Sequence, residues 1–318
     1  MQKSSDDIKI FACNANKKLA AGIASDLGVN LGLSEALRFS DGEINMRINE
    51  TVRNADVFII QSTEPPVNEN LMEILIMTDA MRRASAKSIT AVMPYFGYAR
   101  QDRKTRSRDP ISSKLVANLL TCAGINRILT MDLHCAQIQG FFDIPVDHLL
   151  GVNLFVEYFK SKIKNNLGNF VAVAPDFGSV VRTRDFAEKL NIPLAIINKR
   201  RPAPNISEVL NIIGDVKDKS VILIDDIIDT AGTITNAAAA LKKCGAQDIF
   251  VCCTHALLSG NAIEKIKTSE ISKLIVLDTI NLPENKKFDK LEIISVSHIF
   301  AKAILNIHMG ISVSELFD

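Results

Sequence analysis

Three common signals are missing from the sequence: an excess of charge of one sign, a long apolar run and a cysteine framework. Lys and Arg total 37 and Asp and Glu total 36 among 318 residues, so the overall charge indicates neither a nucleic-acid nor a membrane partner. No uninterrupted apolar run approaches the roughly 20 residues that a membrane-spanning helix needs. Any anion-binding site must therefore be formed by a local cluster of cationic side chains.

The six cysteines form no C-x-x-C pair, and Cys252 and Cys253 are neighbours within an apolar run. This distribution is typical of reduced, buried thiols in a cytosolic enzyme, and it argues against a disulfide-linked scaffold. Residues 1–9 are polar and lack the apolar core of a signal peptide. We therefore expect a cytoplasmic protein.

Short apolar runs alternate with amphipathic segments from one end of the chain to the other. The predicted strands are residues 9–13, 56–61, 88–94, 127–131, 170–174, 194–198, 220–224, 248–253 and 273–278. The predicted helices are residues 16–27, 68–84, 112–122, 152–165, 179–190, 232–244 and 261–266. Because strands and helices alternate, we expect parallel sheets covered by helices, which is an α/β fold. The length suits two domains, with an expected boundary at residues 147–151, between 1–150 and 151–318.

The most informative segment is residues 221–233, VILIDDIIDTAGT. An apolar strand ends in two adjacent carboxylates, Asp225 and Asp226, and Asp229 follows in a turn that leads into an alanine-rich helix. Such a turn presents backbone N–H groups to a phosphate monoester, and adjacent carboxylates accept hydrogen bonds from vicinal ribose hydroxyls. The segment therefore predicts a sugar-phosphate site at a strand end. The alternative is a helix capped by Asp229 or Thr230, with acids near its positive end.

Residues 95–108, YFGYARQDRKTRSR, follow another predicted strand and form a cationic segment. Its cations are Arg100, Arg103, Lys104, Arg106 and Arg108. A polyphosphate needs such a concentration of cations, and guanidinium groups match phosphate oxygens in geometry. The interleaved aromatic residues and the position past a strand end favour nucleotide binding. A solvated basic loop is the alternative.

The segment RFSDGE, residues 38–43, has two interpretations. Phe39 can stack on a base while Asp41 and Glu43 accept hydrogen bonds from an amino group. Asp41 and Gly42 are also an ordinary turn pair. The residues alone do not decide between a base-binding loop and a simple turn.

Two further strand ends carry candidate metal ligands. His134 follows Asp132 and precedes Asp143 and Asp147, and such a histidine either holds Mg²⁺, directly or through water, or is structural. Asp176 lies where a strand gives way to a helix, so it is a candidate N-cap as well as a candidate ligand. Those two roles are compatible.

The cations Lys199, Arg200 and Arg201 follow a predicted strand. If the extended backbone continues, Lys199 and Arg201 share one face while Arg200 points to the other. Pro202 and Pro204 then exclude a helix and favour a mobile loop, of the kind that closes over the substrates of transferases. An exposed basic strand end is the alternative.

The segment at residues 221–233 resembles the phosphoribosyl diphosphate loop of the type I phosphoribosyltransferase fold, and nearly the whole chain resembles the ribose-phosphate diphosphokinases of class I. The segments that carry the second resemblance are RFSDGE at 38–43, PVNENLMEILIM at 66–77, GYARQDRK at 97–104, DLHCAQIQGFFDIPVDHL at 132–149, NKRRPAPN at 198–205 and THALLSG at 254–260. Their common order makes the resemblance specific. It implies two similar domains, each with a parallel sheet flanked by helices, the first on the ATP side and the second with the sugar-phosphate loop.

The resemblance also implies roles for individual residues. It assigns ATP to Phe39, Asp41, Gly42, Glu43, Arg100, Gln101 and Arg103. It assigns ribose 5-phosphate to Arg201, Asp225, Asp226, Asp229, Thr230, Ala231, Gly232 and Thr233. It assigns Mg²⁺ to His134 and Asp176, with Asp132, Asp143 and Asp147 as further candidates. Lys199 and Arg201 correspond to the catalytic residues that are brought onto the transferring phosphate.

In such an enzyme the anomeric hydroxyl of ribose 5-phosphate attacks the β-phosphorus of ATP, which gives phosphoribosyl diphosphate and AMP. The family forms hexamers in which the adenine loop serves a neighbouring subunit. Class I members are activated by phosphate and inhibited by ADP at a subunit interface, where Arg53, Arg106, Ser312 and Ser314 are the candidate contributors here. Cys135, Ser179 and Asn54 depart from the family, in which alanine, glycine and glycine are usual.

Two other functions remain open. A phosphoribosyltransferase would use the same sugar-phosphate loop, but it would not need RFSDGE or the cationic segment, and it would usually be about half as long. A non-catalytic, regulatory homologue would depart from the family around Lys199 and Arg201, where this chain is uninterrupted. Both alternatives predict no release of AMP from ATP.

Overall fold

The computed structural model describes residues 8–163, 167–203 and 206–316, and at residues 167, 199–203 and 206–210 it describes the backbone alone. The described residues form two compact units. The first unit draws on Met1–Leu150, Thr279–Asn281 and Ser295–Asp318, and the second on Gly151–Asp278 and Leu282–Ile294. The chain therefore returns to the first unit after it has formed the second.

The strands, in chain order, are β1 Ile8–Ala12, β2 Ser34–Arg38, β3 Ile44–Ile48, β4 Asp56–Ile60, β5 Ser88–Met93, β6 Arg127–Met131, β7 Val146–Leu149, β8 Phe170–Ala174, β9 Leu194–Ala203, β10 Ile206–Ile213, β11 Ser220–Ile228, β12 Ile249–Ala256, β13 Lys273–Leu277 and β14 Leu291–Ile294. The helices are α1 Lys17–Leu27, α2 Val67–Arg83, α3 Ser112–Ala123, α4 Val152–Lys162, α5 Val180–Leu190, α6 Gly232–Lys243, α7 Ala262–Thr268 and α8 Ser297–Met309.

The first unit is built on a parallel sheet with the strand order β1-β4-β5-β6-β7. Strand β4, DVFII, is buried along its whole length, because a central parallel strand is covered on both faces. Helix α2 contributes Ile74, Met77 and Met81 to the same core. Strands β2 and β3 form a separate antiparallel hairpin.

The second unit is built on a sheet with the order β10-β9-β8-β11-β12-β13-β14, in which β10 is antiparallel to β9 and the other pairs are parallel. Helix α6 packs into the core through Ile234, Ala237, Ala238 and Leu241. Because the parallel strands of each unit share a direction, their carboxyl ends lie at one edge of each sheet. The candidate ligands that follow those ends are thereby gathered within each unit.

The α/β fold with parallel sheets flanked by helices is confirmed, and each predicted strand and helix is present with its ends shifted by a few residues or extended. The sequence did not predict β2, β3, β7, β10, β14 or α8. Those strands lie at sheet edges or in the hairpin, where one side faces water and the apolar signal is weak. Helix α8 is held by buried Phe300 and Ile304 and by a 2.9 Å hydrogen bond between His308 Nδ1 and Asp56 Oδ2.

The cysteines are free, but they are not all buried. Cys13, Cys252 and Cys253 are buried, and burial raises the pKa of each thiol. Cys122 and Cys244 are exposed, so the prediction of buried thiols is wrong for these two. None of the described helices combines the length and apolar character that crossing a membrane requires.

Candidate functional site

The predicted sugar-phosphate segment lies at the carboxyl end of β11, but this strand is longer than expected. The backbone stays extended to Ile228 because β12 continues beside it, with Asp225 opposite Cys253 and Ile228 opposite Ala256. The expected strand end at residue 224 is therefore wrong, and the two adjacent acids lie within the strand. Asp225 is half-buried and Asp226 is 6% exposed.

The turn between β11 and α6 ends at an N-cap residue that makes no side-chain capping hydrogen bond. Helix α6 begins at Gly232, and its N-cap is Ala231, whose backbone is left-handed with φ of 60°. Alanine has no side-chain oxygen, so the N-cap residue itself does not accept from the N–H groups of the first turn, which is where helices commonly bind anions. The structural alternative for this segment expected Asp229 or Thr230 as the N-cap residue, and the N-cap residue is Ala231 instead.

The end of β12, within THALLSG, supports this turn through backbone hydrogen bonds. The N–H groups of Leu257 and Leu258 donate to the Ile228 carbonyl at 2.9 and 3.1 Å. The Ser259 N–H donates to the Asp229 carbonyl at 2.9 Å. Because these carbonyls are satisfied by a neighbouring segment, the start of the turn is held in one conformation.

Ser179 connects two acids that follow neighbouring strands. Its Oγ lies 3.2 Å from Asp225 Oδ1 and 3.2 Å from Asp176 Oδ1. Asp176 also accepts the Ser179 N–H at 3.1 Å and so caps the 3₁₀ turn that precedes α5. The N-cap role that the sequence predicted for Asp176 is therefore confirmed.

The carboxylates of this cluster repel one another. Burial, with the negative charges of Asp226 and Asp176, raises the pKa of Asp225 to about 8. The Arg182 guanidinium lowers it, and Arg182 Nη1 lies 3.3 Å from Asp226 Oδ1. A bound cation would relieve this repulsion.

The donor chemistry of the cluster suits Mg²⁺, which prefers oxygen ligands and usually takes one or two carboxylates together with water and substrate phosphates. Within the described ranges, no group of three or more His, Cys, Asp or Glu side chains is arranged to hold a metal ion. The carboxylates of Asp176, Asp225 and Asp226 are the oxygen donors that this cluster offers.

The backbone that carries Lys199 and Arg201 belongs to β9, which extends to Ala203 and pairs with β10. In this antiparallel register Lys199 is opposite Val209. The expected strand end at residue 198 and the loop after it are therefore wrong for the described backbone, because β10 supplies a hydrogen-bonding partner. The side chains of Lys199 and Arg201, and all of Pro204, lie outside the described residues.

In the first unit, the cationic segment leaves β5 and leads to α3. The side chains of Arg100, Gln101, Arg103, Lys104, Arg106 and Arg108 are exposed. Gln101 is anchored, since its carbonyl accepts from the Ser113 N–H and hydroxyl at 3.3 and 2.9 Å and its side-chain oxygen accepts from the Ser112 hydroxyl. An exposed cluster of cations on an anchored backbone is suited to a polyphosphate.

The aromatic residues at the start of this segment are structural. Tyr95 and Phe96 are 5% and 2% exposed, and Phe96 packs edge-on against Phe142 with ring centroids 5.8 Å apart. At Gly97 a Cβ atom would come within 2.6 Å of the Thr63 carbonyl oxygen. The burial of Tyr95 and Phe96 fixes the start of the cationic segment to the core of the first unit.

RFSDGE forms the turn of the β2–β3 hairpin. The Phe39 N–H donates to the Glu43 carbonyl at 2.8 Å, and the Glu43 N–H donates to Asp41 Oδ1 at 3.1 Å. Gly42 has a φ of 97°, which residues with side chains rarely adopt. The turn is confirmed, and it leaves Phe39 53% exposed beside the exposed Asp41 and Glu43.

The structure separates the candidate ligands around His134. His134 is exposed beyond the end of β6, and Asp132 beside it is buried. Asp143 is exposed ahead of β7. Asp147 forms an ion pair with Arg127 at the opposite end of β6, with 2.6 Å between Oδ2 and Nη1. Asp132 and His134 therefore lie together, whereas the Asp147 carboxylate is engaged elsewhere.

The four candidate effector residues are all exposed and lie in the first unit. The Ser312 and Ser314 hydroxyls are 2.6 Å apart. Arg53 lies ahead of β4, and Arg106 lies in the cationic segment. The structure thus brings the two serines together and places the two arginines on separate loops.

Ser179 and Arg182 join the acidic cluster, although the sequence indicated neither as a site residue. Arg182 is on the first turn of α5, three residues after Ser179, and this spacing places the two side chains next to each other at the start of the helix. Arg182 lies in the first helical turns after Asp176, a candidate ligand, and this cation close behind an acid is a signal that could have identified it from the sequence. For Ser179 the sequence offers no such signal, since its partner Asp225 is 46 residues away.

Comparison with known proteins gives matches along the chain. Two family models match: the N-terminal domain of ribose phosphate pyrophosphokinase at residues 8–124 and the phosphoribosyl synthetase-associated domain at residues 201–318. The ribose-phosphate pyrophosphokinase of Clostridium tetani is 60% identical over 98% of this chain and 97% of its own. That of Bacillus caldolyticus is 57% identical over 100% of both. The crystal structure of phosphoribosylpyrophosphate synthetase from Mycobacterium smegmatis matches with a TM-score of 0.90 and 41% identity, over 95% of this chain and 99% of that one.

Proposed function

The chain belongs to the ribose-phosphate pyrophosphokinase family, and we propose that its first unit binds the nucleotide and its second unit binds the sugar phosphate. It is a diphosphotransferase that makes 5-phosphoribosyl 1-diphosphate and AMP from ribose 5-phosphate and ATP. The two alternative functions, a phosphoribosyltransferase and a non-catalytic homologue, are not favoured. The relatives that match over the full length of the chain are named ribose-phosphate pyrophosphokinases.

The observation that supports the sugar assignment is the position of two adjacent acids, at the end of β11, directly ahead of a helix N-terminus whose N-cap residue, Ala231, supplies no side-chain cap. In the proposal, the 5-phosphate accepts hydrogen bonds from the N–H groups of residues 229–233 and from the hydroxyls of Thr230 and Thr233. Asp225 and Asp226 accept hydrogen bonds from the ribose hydroxyls. The rise of the Asp225 pKa favours a ligand that brings donors or a cation to this carboxylate.

The nucleotide is assigned to exposed side chains of the first unit. Arg100, Gln101 and Arg103 lie in the cationic segment and would contact the polyphosphate, for which guanidinium groups are well shaped. The exposed ring of Phe39 would stack on adenine, and Asp41 would accept from its amino group. The hydrogen-bonded turn supports this role by holding both side chains on one short loop.

In the proposed reaction, the anomeric oxygen forms a bond to the β-phosphorus as the bond between that phosphorus and the bridging oxygen of AMP breaks. Such a transfer requires in-line positioning and neutralisation of charge more than covalent catalysis. Lys199 and Arg201 would stabilise the charge that develops on the departing AMP. His134 and Asp176 would hold Mg²⁺, which supplies further neutralisation of the phosphate oxygens when it is bound.

The proposal includes assembly and regulation, which rest on the family resemblance. The enzyme would form a cytoplasmic hexamer in which the RFSDGE turn serves a neighbour. Phosphate would activate it and ADP would inhibit it through Arg53, Arg106, Ser312 and Ser314, which offer two guanidinium groups and two hydroxyls to an oxyanion. Activity that is unchanged from zero to saturating phosphate would contradict this control.

Release of AMP from ATP that depends on ribose 5-phosphate tests the function itself. The purified protein is incubated with Mg²⁺ and ATP, with and without the sugar phosphate, and the products are separated by anion-exchange chromatography. We expect AMP and phosphoribosyl diphosphate in equal amounts, and only when both substrates are present. A phosphoribosyltransferase would instead consume phosphoribosyl diphosphate with a base, and a non-catalytic homologue would form neither product.

A further inference from the structure

Arg38 attaches the β2–β3 hairpin to helix α2. It is the last residue of β2, directly before the turn, and its Nη2 lies 2.6 Å from Glu69 Oε2 and 3.4 Å from Glu73 Oε1. The Asn14 side chain adds an attachment by donating from Nδ2 to the Ala36 carbonyl at 3.0 Å. The exposed turn is therefore connected to the body of the first unit by side chains from outside the hairpin.

Glu73 is the unusual partner, because its side chain is only 1% exposed. Asn14 donates to it from the backbone N–H at 3.0 Å and from Nδ2 at 2.8 Å, and Gln61 donates from Nε2 at 3.1 Å. These are neutral donors, and Arg38 supplies the opposite charge. Asn14 and Gln61 follow β1 and β4, so the network lies at the ligand-binding edge of the parallel sheet.

The two carboxylates that Arg38 contacts differ in their surroundings. The Glu69 side chain is 54% exposed, and water screens such a pair so strongly that it contributes little. The pair with Glu73 lies in a region of lower dielectric, where the same charges interact more strongly. Glu73 is therefore the main anchor, even though the Glu69 oxygen is the closer one.

We infer that Arg38 is a positioning residue for nucleotide binding, which holds the β2–β3 hairpin on the buried Glu73 so that the turn presents Phe39 and Asp41 to adenine. This inference rests on the proposed function of the turn. Arg38 acts through the hairpin, so its loss weakens ATP binding and leaves the sugar-phosphate site intact.

The variant Arg38→Met tests the inference, because methionine keeps an unbranched apolar side chain and removes the charge. The KM for ATP is expected to rise by about tenfold or more, the loss typical of a hydrogen bond to a charged group. The KM for ribose 5-phosphate and the kcat at saturating ATP should stay within about twofold. Arg38→Lys, which keeps the charge, should restore most of the affinity.

Arg83→Met is the matched control, since Arg83 pairs with Asp79 on the exposed surface of the same helix. It should change neither KM. Glu69→Gln should raise the KM for ATP by less than about threefold, as expected for an exposed pair. Glu73→Gln removes the buried charge and should raise the KM for ATP more than Glu69→Gln does.

Several outcomes would overturn the inference. If the parent protein is active and Arg38→Met has the same KM for ATP as Arg83→Met, the inference is rejected and the proposed function stands. A lower kcat with an unchanged KM for ATP would reject it as well, because Arg38 would then act in the chemical step. If Arg38→Met fails to fold, an equal rise in the KM for ATP in Glu73→Gln and Glu69→Gln would reject the inference. A parent that forms no AMP would reject the proposed function together with this inference.

Discussion

The hydroxyl oxygen of Ser179 lies 3.2 Å from a carboxylate oxygen of Asp225. It is equally close to Asp176, yet a hydroxyl carries one proton and donates fully to one acceptor at a time. The second contact is satisfied when one of the carboxyl groups is protonated and donates to Ser179. The raised pKa of Asp225 makes that arrangement available near neutral pH in the ligand-free protein.

The variant Asp225→Asn is expected to raise the thermal unfolding midpoint of the ligand-free protein by an amount that depends on pH. Folding raises the pKa of Asp225 from about 4, the usual value for aspartate, to about 8. Between these values the folded state binds more protons than the unfolded state, so the parent loses stability as the pH rises. Asparagine does not titrate, so the gain should grow from about pH 4 to about pH 8 and then level off.

Melting curves at about pH 5.5, 7 and 8.5 measure this gain, which we expect to reach a few degrees. Asp215→Asn is the control, because the Lys219 side chain lowers the pKa of that exposed carboxyl, and its effect should be constant over the same range. A gain for Asp225→Asn that does not change between the lowest and highest pH would mean that Asp225 is ionised throughout.

The same substitution should weaken ribose 5-phosphate far more than ATP. Asparagine has the shape of aspartate but loses the anionic acceptor that faces the ribose hydroxyls in the proposal, a loss of about tenfold or more in sugar affinity. Titration calorimetry with each ligand separately measures the two affinities. Unchanged sugar binding with weakened nucleotide binding would show that the two subsites are assigned in reverse.

Replacement of Lys199 by alanine should leave the fold intact and lower turnover severely. Loss of a cation that stabilises the transition state of phosphoryl transfer can cost on the order of 10³–10⁵ in rate. Arg200→Ala is the matched control, as the neighbouring cation in β9, and it should retain activity. A decrease in kcat of less than roughly tenfold at saturating substrates would reject the catalytic role of Lys199.

The proposed assembly predicts that two inactive variants restore activity when their subunits mix. One is Lys199→Ala, and the other combines Phe39→Ala with Asp41→Ala. If the RFSDGE turn serves a neighbour while Lys199 serves its own subunit, random mixing gives intact composite sites in about a quarter of the pairings. Activity after dissociation and reassembly should therefore return to roughly that fraction of the parent.

A dye-labelled subunit must first confirm that subunits exchange in this experiment. With exchange established, a mixture as inactive as its two parents would show that the turn acts within its own subunit or does not bind nucleotide. Neither outcome would affect the sugar-phosphate assignment, because all the residues proposed for that site lie in the second unit.

The sequence predicted the central strands of the sheets well and the edge strands poorly, for a physical reason. Strand β4 contains a continuous apolar run at residues 57–60 because both of its faces are covered, and such a run is visible in the sequence alone. Strand β2, SEALR, is partly exposed along its length, so its pattern resembles that of a loop. Strand β9 continues past residue 198 because β10 pairs with it, and that pairing is not a local property.

The alternation of apolar runs and amphipathic segments determined the α/β fold, and the order of the motifs determined the family. The sequence also determined two chemical features of the candidate site, the adjacent acids before a helix and the cationic segment. These properties are local, since each depends on residues that are neighbours in the chain. Only the tertiary structure decided that Ser179 reaches Asp225 across 46 positions and that Arg38 reaches Glu73 across 35. Strand order and helix packing set these distances, and they depend on the burial of apolar surface throughout each unit rather than on any single segment.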